Sequence, residues 1–129
     1  MGDLNQKLYL QHFVKNVNGA ILEVGSKDYG NTQNFRELFP NNEYVGIDLS
    51  EGKGVVLDLS KTIGPLQKEY FSLIICCSVL EHTPTPWIMA QNMDFLLRKG
   101  GVEIYIFQYL GYGVIILTLM IISVFQQEA

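Results

Sequence analysis

Cysteine, excess basic charge and a leader-type apolar core are all scarce in this chain, and each scarcity removes a class of explanation. Only two cysteines occur, Cys76 and Cys77, side by side in an apolar run. Consecutive strand residues point to opposite faces, which disfavours a bridge between them, and a metal site lacks ligands. They read as buried free thiols, which fits a reducing cytoplasm. Nine Lys and Arg stand against 13 Asp and Glu, a net charge of -4, which argues against a nucleic-acid backbone as the main partner. The stretch Met1 to Asn18 is amphipathic and carries no apolar core, so no signal peptide is read there. At 129 residues and 48% hydrophobic, the chain suits one globular domain and no more.

A further absence is a glycine. From Ala20 to Ser50 the chain reads as one β-α-β unit. Ala20 to Val24 is a short apolar run that stops at Gly25, as a buried parallel strand does when the chain must turn sharply over its end. Asn31 or Thr32 can cap a helix carrying Phe35, Leu38 and Phe39, which Pro40 and Asn41 stop. Tyr44 to Ile47 then gives a second apolar strand with Asp48 at its tip. An acid there, roughly 20 residues after the glycine turn, is placed to accept hydrogen bonds from both ribose hydroxyls of a nucleoside. A dinucleotide turn wants G-x-G-x-x-G under its pyrophosphate, yet Gly25 is followed by Ser26, Lys27, Asp28 and Tyr29 before Gly30. In place of the missing glycine pattern, Glu23 gives E-x-G. A carboxylate would repel a pyrophosphate but suits a sulfonium or ammonium group.

In order along the chain, EVGSKDYG, YVGIDLS, VVLDLS and FSLIICCSVLEH resemble the successive motifs of class I S-adenosylmethionine-dependent methyltransferases. The likeness is to the small-molecule, type 11-like branch and covers Ala20 to about Ile106, with Lys27 standing where the second glycine of E/D-x-G-x-G-x-G normally is. It implies an α/β fold with a Rossmann-like parallel sheet of five core strands and flanking helices, the C-terminal edge hairpin missing. It implies S-adenosyl-L-methionine as cofactor, held by Glu23, Gly25 and Ser26 at the first turn and by Asp48 and Leu49 at the ribose. Asp58 and Leu59 would take the adenine, and the Cys77, Ser78 and Val79 backbone the methionine part. The partner implied is a small-molecule methyl acceptor.

Two of these positions have a second reading. Asp58 can instead cap the turn formed with Ser60 and Lys61, although its place after Glu23 and Asp48 favours the cofactor. His82, in the triplet Leu80-Glu81-His82, could take a proton from an acceptor hydroxyl or amine, or the Glu-His pair could fix the loop.

Around this unit, Leu4 to Val17 reads as a helix ended by Asn18 and Gly19, with His12 on it in a surface or packing role. Val55 to Leu57 reads as a third strand, Thr62 to Tyr70 as a loop with a short helix, and Phe71 to Cys76 as the sheet centre. Pro86 starts a helix that Gly100 and Gly101 end, and Val102 to Phe107 is strand five.

Residues 1–107 form the cofactor-binding domain on this reading, and 108–129 an apolar tail. Tyr109 to Phe125 carries no charge; as a helix it would reach about 25 Å, short of a roughly 30 Å hydrocarbon core, so a membrane anchor is borderline. A second reading is an extra buried helix or strand pair, of which the β-branched residues favour strand with an aggregation-prone edge, and the unpaired edge of the sheet could drive a homo-oligomer or take the tail as cover. A third reading is translation out of frame from Phe107, since a shifted frame with chosen wobble bases can spell P-D-D-Y-x-R-F. That segment follows strand five in many small-molecule methyltransferases, and the nucleotide sequence decides.

Overall fold

The computed structural model describes residues 4–14, 16–25, 34–49, 54–77, 79–111 and 114–123. They form one six-stranded sheet in the order β3-β2-β1-β4-β5-β6, with helices on both faces. The strands are β1 (Ala20–Val24), β2 (Tyr44–Asp48), β3 (Val55–Val56), β4 (Phe71–Cys77), β5 (Leu97–Gly111) and β6 (Val114–Ser123). The first five are mutually parallel, and β6 returns antiparallel along β5. This is the expected Rossmann-like α/β sheet.

All residues of β1 and β4 are buried, which explains why their sequences show unbroken apolar runs instead of alternation. On one face α2 (Pro86–Leu96) packs Met89, Met93 and Leu96 onto Leu22, Val24, Ile74 and Cys76. Leu10 of α1 (Leu4–Phe13), with Phe35 and Phe39, covers Ile21, Leu73, Ile75 and Cys77 on the other. Truncating a fully buried Ile21 or Ile74 to Ala would cost about 2–5 kcal/mol.

Several elements differ from expectation. The helix read over 31–39 is, in its described part, a single 3-10 turn at Phe35–Leu38. Its cap is Asn34, whose side chain accepts from the Arg36 amide at 3.1 Å, while Asn31 and Thr32 lie outside the described residues. Helix α1 stops at Phe13 instead of Val17, and Asn16 takes a positive φ of 59° before β1. Thr62 to Tyr70 holds turns and no helix, as Gly64 and Pro65 favour.

Strand β5 begins five residues early. Phe71 pairs with Leu97 and Leu73 with Val102, so Arg98–Gly101 bulge out opposite Ser72, with Gly100 at a φ of +76°. The regular ladder resumes at Val102, the expected start. Beyond Phe107 the tail is extended: β5 runs on to Gly111, and β6 pairs with it from Gly111↔Val114 to Val102↔Ser123. The tail thus covers the edge that β5 would otherwise present. No helix among the described residues is long and apolar enough to cross a membrane.

Candidate functional site

A cleft of about 320 Å³ opens over the carboxyl ends of the parallel strands, where β1 and β4 lie side by side. Val24 and Gly25 line it from β1, Ile47, Asp48 and Leu49 from β2, and Leu57 to Ser60 from the segment after β3. Across from them stand Cys77, Val79 and the lip His82, Thr83 and Pro84, with Met89 of α2 beneath.

Gly25 must be glycine for two reasons. Its φ is +78°, and a Cβ built there would meet Val79 Cγ2 at 2.4 Å. Its amide donates to Ile47 O at 2.9 Å, which ties the turn to the end of β2. The two strand exits therefore pass close together, with Val79 packed against the Gly25 turn.

Asp48 ends β2 at the cleft wall. Its Oδ1 accepts from the Leu49 amide at 2.7 Å, and its carbonyl accepts from the Leu57 amide at 2.8 Å, fixing β3's exit beside it. Leu49 itself is 70% exposed, a large apolar side chain left over an open hollow. Asp58 caps the turn that follows it, as its second reading required. Oδ1 accepts from the Ser60 amide at 3.0 Å and the Ser60 hydroxyl at 2.5 Å, and its carbonyl accepts from the Lys61 and Thr62 amides. The Ser60 hydroxyl is the main reason its carboxyl titrates below the usual aspartate value. Asp58 also lines the cleft, with Oδ2 3.8 Å from Lys61 Nζ. Asn92 of α2 donates to Leu59 O at 2.6 Å and holds this turn over the helix.

Glu23 is placed differently from its companions. It is 2% exposed on the α1 face of β1, where it accepts a hydrogen bond from the Tyr44 hydroxyl at 2.7 Å, behind the cleft wall and two residues before Gly25. Burial, followed by the neighbouring Glu23 charge, raises the Tyr44 hydroxyl far above its ordinary value, so it remains a donor. His82 is exposed on a 3-10 turn, Leu80–His82, that carries it to the lip. Ser26 and Ser78 lie outside the described residues.

Of the residues singled out in the sequence, Gly25, Asp48, Leu49, Asp58, Leu59, Cys77, Val79 and His82 come together in one hollow. Sequence reasoning missed Ser60, Thr83, Pro84 and Met89 as lining. The D-L-S spacing of Asp58 and Ser60 signals the turn that puts Ser60 there. Met89 reads as core, and it is core: 5% exposed, yet at the cleft floor.

No protein-family model and no curated protein matches the sequence. Solved structures do match. A candidate methyltransferase from Bacillus halodurans superposes with a TM-score of 0.66 at 18% identity, over 84% of this chain and 52% of that one. An S-adenosylmethionine-dependent methyltransferase from Archaeoglobus fulgidus gives 0.62 at 19% identity, over 79% and 51%. The [4+2]-cyclase SpnF gives 0.65 at 14%, over 81% and 44%. The chain spans about half the length of these structures. Its strand order, its cleft and these superpositions agree that it has the fold of the class I S-adenosylmethionine-dependent methyltransferases.

Proposed function

We propose that the cleft binds S-adenosyl-L-methionine and that the chain serves methyl transfer to a small-molecule acceptor in the cytoplasm. The observation that carries this reading is the gathering of Gly25, Asp48 and Asp58 around one hollow with an apolar lining of Leu57, Leu59 and Met89. The donor and acceptor chemistry fits. Carboxylates only accept, which suits ribose hydroxyls at Asp48 and an exocyclic amino group at Asp58 Oδ2, the oxygen not used by Ser60. Leu49, exposed over the hollow, offers apolar surface for a flat ring, and Leu59 lines the wall beside it.

Among the described lining residues there are two carboxylates and no Lys or Arg, a balance that favours a cationic ligand over a pyrophosphate. That disfavours a nicotinamide dinucleotide, the alternative chemistry for such a sheet. When bound, the cofactor supplies an activated methyl group on a sulfonium. The protein's task is then to hold the acceptor in line, where alignment counts for more than a base. His82 on the lip is the residue we assign to taking the acceptor's proton, with loop fixation as its other role.

Calorimetry with S-adenosylmethionine, S-adenosylhomocysteine and NAD tests the reading. Saturable binding of the two sulfur compounds that is lost in Asp48→Ala supports it, and binding of NAD alone ends it.

A second reading is a binding module without turnover. In the resembling family the acceptor-binding elements are inserted after strand five, whereas only residues 112 and 113 separate β5 from β6 here. SpnF, a cyclase, shows that this fold also carries other chemistry. Cofactor binding without methylation of any acceptor in a broad panel selects this reading. Both readings extend to self-association through a terminal strand of the sheet, which light scattering measures; if the tail is an out-of-frame product, the nucleotide sequence will show P-D-D-Y-x-R-F in the shifted frame.

A further inference from the structure

Behind the cleft wall, the Glu23 and Tyr44 pair is more elaborate than core packing requires. Register places Tyr44 opposite Ile21, two residues from Glu23, so the phenol and the carboxylate project from the same face of the sheet. Tyr44 Oη reaches Glu23 Oε1 at 2.7 Å. The Arg36 guanidinium lies over the Tyr44 ring at 4.9 Å and the Phe39 ring stacks on it at 6.2 Å, so the phenol is held from two sides. Burying a carboxylate is unfavourable unless donors accompany it, and the Tyr44 hydroxyl supplies one. Cys77 connects the pair to the cleft, because it belongs to the same packed cluster as Tyr44 and also lines the hollow. Glu23 lies next in sequence to Val24 and two residues from Gly25, both of which line it as well.

We propose that Tyr44 is a positioning residue: its hydrogen bond holds the Glu23 carboxylate under the Gly25 end of the cleft, where that charge favours a sulfonium ligand over its neutral thioether counterpart. The inference rests on the reading of the cleft as an S-adenosylmethionine site and goes one step further. It gives the charge selectivity of that site to a buried pair that touches no ligand. Release of a neutral product from a site tuned to a cation is the functional consequence.

The test compares affinities for S-adenosylmethionine and S-adenosylhomocysteine in the full chain and in Tyr44→Phe, Glu23→Gln and the double variant. Glu23→Gln keeps the shape and still accepts from Tyr44. It should weaken the sulfonium compound roughly fivefold while the thioether shifts less than twofold. Tyr44→Phe should move the ratio in the same direction by roughly threefold, and the double variant should go no further than Glu23→Gln, because the phenol acts through the acid. A purely structural role would weaken both ligands in parallel, and that result overturns the proposal, as does an additive double variant. Should Tyr44→Phe fail to fold by thermal melt, an unchanged ligand ratio in Glu23→Gln alone overturns it. Failure of the unaltered chain to bind either sulfur compound overturns the cofactor reading and this inference with it. Binding of both with an unmoved ratio overturns only the inference.

Discussion

The two rims of the parallel sheet carry similar residue types and do opposite things with them. At the amino-terminal rim, Ser72 Oγ donates to Asn18 O at 2.7 Å, and Asn42 Nδ2 donates to Val17 O and Gly19 O at 2.8 and 3.0 Å. Arg98 also donates to Asn18 O, and the Tyr70 hydroxyl donates to Glu43. These bonds join residues 23 to 80 positions apart, so they lace separate segments together. At the carboxyl-terminal rim, the side-chain bonds described for Asp48 and Asp58 reach only one to three residues along the chain. None of those bonds crosses the cleft. The larger hollow, about 540 Å³, lies at the laced rim, where the Glu43 carboxylate is tied to Tyr70, and the smaller one holds Asp48 and Asp58. Where polar groups bond across segments they are spent on holding the fold together; where they bond locally they leave acceptors for a ligand.

Gly19 and Gly25 flank β1 at the two rims and offer the sharpest way to break this comparison. Both have positive φ, +115° and +78°, and an added Cβ would meet Ser72 Oγ at 2.1 Å or Val79 Cγ2 at 2.4 Å. Alanine at either position should destabilise the chain by about 1–3 kcal/mol, read from urea midpoints. Only Gly25→Ala should also abolish cofactor binding. Equal loss of binding from Gly19→Ala would mean that the rims are not independent.

Asp48→Ala should have the next largest effect, on ligand affinity. Loss of a charged acceptor to ribose hydroxyls costs about 1.5–3 kcal/mol, roughly tenfold or more in the dissociation constant. A thermal melt run beside the titration separates loss of the ligand from loss of the fold. The reciprocal change is Ser72→Ala. It removes a bond to Asn18 O, should cost about 1 kcal/mol of stability and should leave binding untouched. A calorimetric titration that moved with Ser72→Ala would contradict the division of roles.

Much of the sheet was legible because β1 and β4 are covered on both faces, and full burial writes itself as unbroken apolar sequence. The acids at the strand tips were legible for the converse reason: a charge ending such a run marks where the strand leaves the core. What the run hides is the face. In a strand buried on both sides, alternation carries no polarity signal, so E-x-G located Glu23 along the chain without revealing that it pairs with Tyr44 behind the cleft lining. The bulge at Arg98–Gly101 was equally hidden, since RKGG ends a helix and also feeds an irregular ladder against Ser72. The β-branched residues of the tail pointed to strand, and β6 forms; which reading frame encodes them is not a question that composition answers.

Asp58 sets the smallest expected effect and the most specific one. Its carboxyl titrates below the ordinary aspartate value chiefly because the Ser60 hydroxyl donates to it, with the Ser60 amide and Lys61 adding to the shift and burial opposing it. A depressed folded-state pKa contributes stability that is present at neutral pH and disappears as the pH falls through that folded value, which here lies below the ordinary range of about 4. The side chain is 35% exposed, so solvent screening holds the contribution to about a few tenths of a kcal/mol. In Ser60→Ala the Asp58 carboxyl resonance should titrate at higher pH than in the unaltered chain, closer to the ordinary value. Stability at pH 7 should fall by no more than that small amount. If the titration does not move, Ser60 is not what holds the acid ionised. Asp58 would then owe its ionisation to Lys61, and raising the salt concentration should shift it toward its ordinary value.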